Sequence, residues 1–183
     1  MRKTIALTLL ACALPAAAGS APSKPDPAWI ALSRHPLLPL DAPAGEAPRV
    51  APPVAGRPLL LHFWASWCAP CRRELPDLDA RLARWLDAGL ELRAVSIDRE
   101  PEKARHFAAE LALSMPLYLD GPTGLARTLD LPALPCTYLF DGDGTLRFVL
   151  RGSNPQDLAV LESTLGQMLP PQAAPAPAAL GAR

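Results

Sequence analysis

Leu59-Leu60-Leu61-His62-Phe63-Trp64-Ala65-Ser66-Trp67-Cys68-Ala69-Pro70-Cys71 is the stretch that decides how this chain folds. Leu59–Ala65 is apolar without alternation, the pattern of a central strand covered on both faces. Beyond the turn, Leu75, Leu78, Leu82 and Trp85 recur at helical spacing, predicting a helix from Ala69 to about Asp87, kinked at Pro76. Cys68 and Cys71 therefore sit where a buried strand turns into a helix. Unpaired backbone N–H groups and the positive end of the helix dipole favour a thiolate at that place. Because the thiolate is the nucleophile of thiol–disulfide exchange, two thiols so spaced and so placed point to a redox dithiol.

The rest of the chain bounds this reading. Its 183 residues leave room for one domain with a full core, and half of them are hydrophobic. Eighteen Lys and Arg balance eighteen Asp and Glu, which argues against a nucleic-acid binder. Arg2 and Lys3, the apolar stretch Ile5–Leu14 and Ala16-Ala17-Ala18 follow the grammar of an export signal, with cleavage expected after Ala18. Residues 1–18 are thus read as a signal peptide, and the protein as periplasmic and soluble once it is cut. Two alternatives are a lipid anchor through Cys12, since Leu9-Leu10-Ala11-Cys12 resembles a lipobox, and a membrane anchor formed by an uncleaved signal. Without Cys12, three thiols remain, too few for a disulfide-stapled scaffold.

Proline marks the limits of the domain. Eleven of the 23 prolines lie between Pro15 and Pro58, so residues 19–56 read as a mostly extended leader or linker with a short helix around Trp29–Leu32. The Pro/Ala-rich tail, 170–183, reads as disordered. Between them, in 57–169, helix and strand patterns alternate. Strands are expected at Leu59–Ala65, Leu90–Asp98, Pro116–Leu119, Cys136–Asp141 and Thr145–Leu150, the last two joined by Gly142-Asp143-Gly144. Helices are expected at Ala69–Asp87, Glu102–Leu113, Thr123–Leu129 and from Pro155, capped by Asn154, to about Met168. That order gives an α/β fold with a mixed central sheet flanked by helices.

These residues resemble the thioredoxin fold, and more narrowly its exported TlpA/ResA-like branch. The resemblance rests on Phe63–Cys71, on Leu134-Pro135-Cys136-Thr137-Tyr138-Leu139-Phe140 with the Gly142–Gly144 turn, and on the helix and strand between Glu102 and Leu119, where that branch inserts extra structure. It implies that Cys68 is the exposed attacking thiol and Cys71 the buried resolving one. It also implies a cis Pro135 facing the dithiol, with the Leu134 backbone offered to an extended substrate. Trp67, Ala69, Pro70, Leu134 and Pro135 would form the substrate surface. The branch mostly reduces proteins outside the cytoplasm, so the implied partners are a disulfide-bonded protein and a membrane electron donor of the DsbD/CcdA type. Cytochrome c or metalloprotein maturation is a possible setting. A monomer without cofactor or metal is expected.

Two departures stand out. His62 occupies the strand position below the dithiol where thioredoxins carry Asp, and reads equally as a satisfied core histidine or as the group that takes the proton of Cys71. Cys136 follows the proline, where Thr or Ser is commoner, and reads first as a small buried residue and second as an extra redox thiol. Glu74 reads as a complement to the helix dipole. A zinc site is disfavoured because no second cysteine pair exists and His35, His62 and His106 are scattered. The rival functions are a protein-disulfide oxidant or isomerase and a non-catalytic peptide-binding module. A peroxidase of the peroxiredoxin kind would want Thr at position 65, which is Ala.

Overall fold

The computed structural model describes residues 24–43, 45–120 and 124–169. The signal peptide, the start of the leader, Thr123 and the Pro/Ala-rich tail lie outside the described residues. In chain order the elements are α1 (Pro27–Leu32), β1 (Pro36–Pro39), β2 (Arg49–Val50), β3 (Leu59–Trp64), α2 (Ala69–Asp87) and β4 (Glu91–Ser96). Then follow α3 (Pro101–Glu110), β5 (Leu117–Asp120), α4 (Leu125–Thr128), β6 (Cys136–Phe140), β7 (Leu146–Arg151) and α5 (Pro155–Met168). The strands form one seven-stranded sheet in the order β2-β1-β5-β4-β3-β6-β7. Strands β3, β4 and β5 run parallel, while β1, β6 and β7 pair antiparallel with their neighbours.

The apolar run predicts its own position. Every residue of β3 is buried, and β3 lies between β4 and β6. Side chains alternate across a strand, so Leu60 and Trp64 join the cluster of α2, α3 and α5, with Leu75, Leu78, Phe107 and Leu161. Leu59, Leu61 and Phe63 join the opposite cluster, built with α1 and α4. Helix α2 has the predicted span and continues through Pro76.

The described part of the leader is built into this sheet. Strand β1 pairs with β5, and α1 places Ala28 and Leu32 in the second cluster. Buried Arg93 donates to the carbonyls of Ala51 and Pro52 and pairs with Glu91, holding the segment that enters β3. Trp29 packs on the hairpin, edge-on to Phe140 at 5.6 Å. Gly144, with φ +86°, lies so close to Trp29 that a Cβ would fall 2.8 Å from the indole. Four-residue strands bounded by proline carry little signal of their own, which is why tertiary pairing decides here.

Candidate active site

Cys68 and Cys71 are joined as a disulfide at the first turn of α2. Cys68 is the N-cap: its backbone is extended and its Sγ accepts the backbone N–H of Cys71 at 3.2 Å. The sulfur thus takes the place a Ser or Asp oxygen fills in an ordinary cap. In the reduced protein the same N–H and the helix dipole favour charge on Cys68.

The two sulfurs differ in access. Cys71 is wholly buried, as expected of the resolving thiol. Cys68 is less exposed than expected, at 5 %, because Trp67, Pro70 and Leu134 close round it. It lines a surface hollow of about 490 Å³ together with Trp67, Ala69, Pro70, Ile97 and Leu134. Trp67 stands 67 % exposed on its rim, the most exposed large hydrophobic among the described residues. The Leu134–Pro135 peptide is cis, and Pro135 is buried. The structure therefore brings Trp67, Ala69, Pro70 and Leu134 together around Cys68.

His62 lies on the same face of β3 as Leu60 and Trp64, the face that packs on α2. It is fully buried, and its Nδ1 is 2.8 Å from Thr137 Oγ1. Nε2 has no hydrogen-bond partner among the described residues. Burial lowers its pKa to about 4, so the imidazole is neutral at pH 7.

Cys136 is not brought to the dithiol. It pairs in register with Phe63 and shares Phe63's side of the sheet, in the cluster opposite Cys68 and Cys71. Burial pushes its thiol pKa up, against nucleophilic use. Glu74 departs from the dipole role. It sits past the first turn, is nearly buried, and burial raises its pKa, against a lowering hydrogen bond from Ser153. Arg72 lies over the Phe107 ring at 4.6 Å and pairs with Glu110 at 2.7 Å, so its guanidinium is engaged on α3. Among the described residues no group of His, Cys, Asp and Glu could hold a metal ion, and no helix is long and apolar enough to cross a membrane.

One contact set was invisible in the sequence. The Asp98 carboxylate accepts the Ser66 N–H at 2.8 Å and the Ser66 hydroxyl at 2.7 Å. It also accepts the Ser96 hydroxyl at 2.8 Å. This ties the end of β4 to the turn that carries Cys68.

The sequence of residues 44–149 matches the AhpC/TSA family throughout this region. The chain belongs to the AhpC/TSA family. Among proteins similar to this AhpC/TSA chain is thiol-disulfide oxidoreductase ResA of Geobacillus kaustophilus, 28 % identical over 98 residues, covering 54 % of this chain and 56 % of that protein. The chain spans about half the length of the curated relatives it matches. A candidate thiol:disulfide interchange protein DsbE from Chlorobium tepidum superposes with a TM-score of 0.56 at 28 % identity, over 61 % of this chain and 82 % of that one. A thioredoxin-like protein from Porphyromonas gingivalis gives 0.59 at 25 % identity, over 74 % and 89 %. The fold of this AhpC/TSA chain is thioredoxin-like, with helix α3 and strand β5 between β4 and β6.

Proposed function

We propose that the protein is an exported thiol–disulfide oxidoreductase that reduces disulfides in other proteins. The observation that carries this is the unequal pair: Cys68 capping α2 at the floor of an open hollow, Cys71 sealed behind it. The Cys68 thiolate attacks one sulfur of a substrate disulfide, forming a mixed disulfide and releasing the other sulfur as a thiolate. Cys71 then loses its proton and attacks Cys68, which expels the substrate's second thiolate and leaves the Cys68–Cys71 disulfide. Two electrons have passed to the substrate. A membrane donor of the DsbD/CcdA type would restore them, and apocytochrome c or another metalloprotein before cofactor attachment is the substrate class proposed. The similarity to proteins named ResA and DsbE supports this reading, as does the Ala69-Pro70 spacer, which lacks the His that strongly oxidising relatives use.

His62 is assigned the proton of Cys71. It is neutral and buried on the α2 face, with Nε2 unengaged. His62→Ala is expected to slow release of the mixed disulfide about tenfold or more while initial attack stays near the wild-type rate, general-base contributions being on the order of 10²–10⁴. Stopped-flow kinetics with a fluorescent peptide disulfide separates the two steps. Equal release in variant and wild type removes the assignment.

The direction of transfer is tested by the reduction potential of Cys68–Cys71 in residues 19–183 carrying Cys136→Ser. The expected value is about −270 mV or lower, at the thioredoxin end of the scale. A value near about −120 mV would make the protein an oxidant.

A further inference from the structure

The turn that presents Cys68 is short and its tip is bare. Cys68 N–H donates to Ala65 O at 3.1 Å, closing the turn, and leaves Ser66 and Trp67 projecting from it. Trp67 is mostly exposed, so packing alone does not fix its indole. What fixes the turn is the Asp98 carboxylate. Its Oδ1 accepts the Ser66 hydroxyl, and its Oδ2 accepts both the Ser66 N–H and the buried Ser96 hydroxyl. Asp98 is itself held in place, since its own N–H donates to Ser96 Oγ at 3.1 Å. The neighbouring backbones are joined as well, Ile97 N–H donating to Trp64 O at 2.9 Å.

These contacts bear on the substrate surface. Trp67 and Ile97 stand between two hollows. One is the apolar hollow over Cys68, and the other, of about 440 Å³, is bordered by Asp98, Arg99, Glu100 and Lys103. Both hollows share Trp67 and Ile97, and Asp98 anchors Trp67 through its neighbour Ser66. A substrate segment lying over Cys68 meets both Trp67 and Leu134, which line the same hollow.

We propose that Asp98 is a positioning residue for disulfide exchange. Through Ser66 it sets Trp67 as one wall of the groove, and so seats the protein segment whose disulfide is brought to Cys68 Sγ. This rests on the reading of the chain as a thiol–disulfide oxidoreductase. The role is one of geometry and not of charge: the amide of Asn offers a carbonyl to the Ser66 N–H and Ser96 hydroxyl, and an N–H to the Ser66 oxygen. A small disulfide needs no groove and is indifferent to the wall.

The full chain is assayed with dithiothreitol as electron source. Dithiothreitol reduces Cys68–Cys71, and the dithiol passes the two electrons to the disulfides of insulin or, in parallel, to hydroxyethyl disulfide. Asp98→Ala is expected to lower kcat/KM for insulin about tenfold, chiefly by raising KM, misplacement of a reacting group being costly in rate. The rate with hydroxyethyl disulfide is expected to stay at the wild-type value, and Asp98→Asn to restore the insulin rate. Amide hydrogen exchange is expected to quicken at Ser66 in Asp98→Ala while the interiors of β3 and α2 stay protected. Loss on both substrates together, an unchanged insulin rate, or an Asn variant as slow as Ala each overturns the positioning role. Should the wild type itself fail to speed insulin reduction, the oxidoreductase reading falls and this one with it. A working wild type with an indifferent Asp98→Ala sinks this one alone.

Discussion

Cys71→Ser is expected to stop the cycle half-way, with turnover on insulin lower by on the order of a thousandfold or more, as when a member of a catalytic unit is lost. Attack by Cys68 survives, because Cys68 alone of the pair reaches the hollow. Its resolving partner does not survive, so a covalent adduct with the substrate accumulates. Non-reducing gel electrophoresis followed by mass spectrometry identifies it as a Cys68 mixed disulfide. Cys136 cannot stand in as resolver, because it lies across the sheet in the other core cluster. The adduct is therefore expected to be equally stable with Cys136→Ser added. Cys68→Ser is expected to lose turnover to the same extent and to form no adduct. An adduct through Cys71 in the Cys68→Ser chain would reverse the two roles, and wild-type turnover in Cys71→Ser would remove the dithiol mechanism.

The parts of the fold that rest on local chemistry were readable from residues alone. β3 announces itself by an apolar run with no alternation, α2 by its stripe from Leu75 to Trp85, and α5 by Asn154 and Pro155 at its start. The dithiol is readable because its chemistry depends on spacing and on a helix start, both local. What could not be read depends on which face or which neighbour a residue meets. β6 is buried on both sides, so nothing in Cys136-Thr137-Tyr138-Leu139-Phe140 tells which side carries the thiol; pairing with β3 decides it. Glu74 looks like an ordinary helix-surface acid until α5 and Ser153 cover it. β1 is held by pairing with β5 on one side and β2 on the other, both outside the local signal of its own residues. Asp98 carried one faint signal, its place just past the carboxyl end of a parallel strand, where α/β sheets gather functional groups. Its partner Ser66 is 32 residues away, and only the fold brings them together.

The stability of the oxidised protein is expected to fall by about 3 kcal/mol between pH 7 and pH 4 on account of His62 alone, whose pKa is lowered from 6.5 to about 4. The sign follows from proton binding. Between those values the unfolded chain holds a proton on this imidazole and the folded chain does not, so stability rises with pH across the window. The contribution is whole above pH 6.5, drains away as pH falls towards 4, and changes no further below that. The cause is burial: the ring is fully buried, and its one hydrogen bond among the described residues is with Thr137 Oγ1. Charging it there is costly because no anion among the described residues pairs with it. Glu74 works in the opposite sense, since its raised pKa lets the folded state bind a proton more readily as pH falls. A single pH profile therefore mixes the two, and the comparison that isolates His62 is with His62→Leu, which keeps Glu74 and fills the space with an apolar group. Urea unfolding of both proteins from pH 4 to pH 8 is the measurement. Relative to the Leu variant, the wild type is expected to lose about 3 kcal/mol between pH 7 and pH 4. Parallel profiles would mean that His62 does not titrate on unfolding in this range.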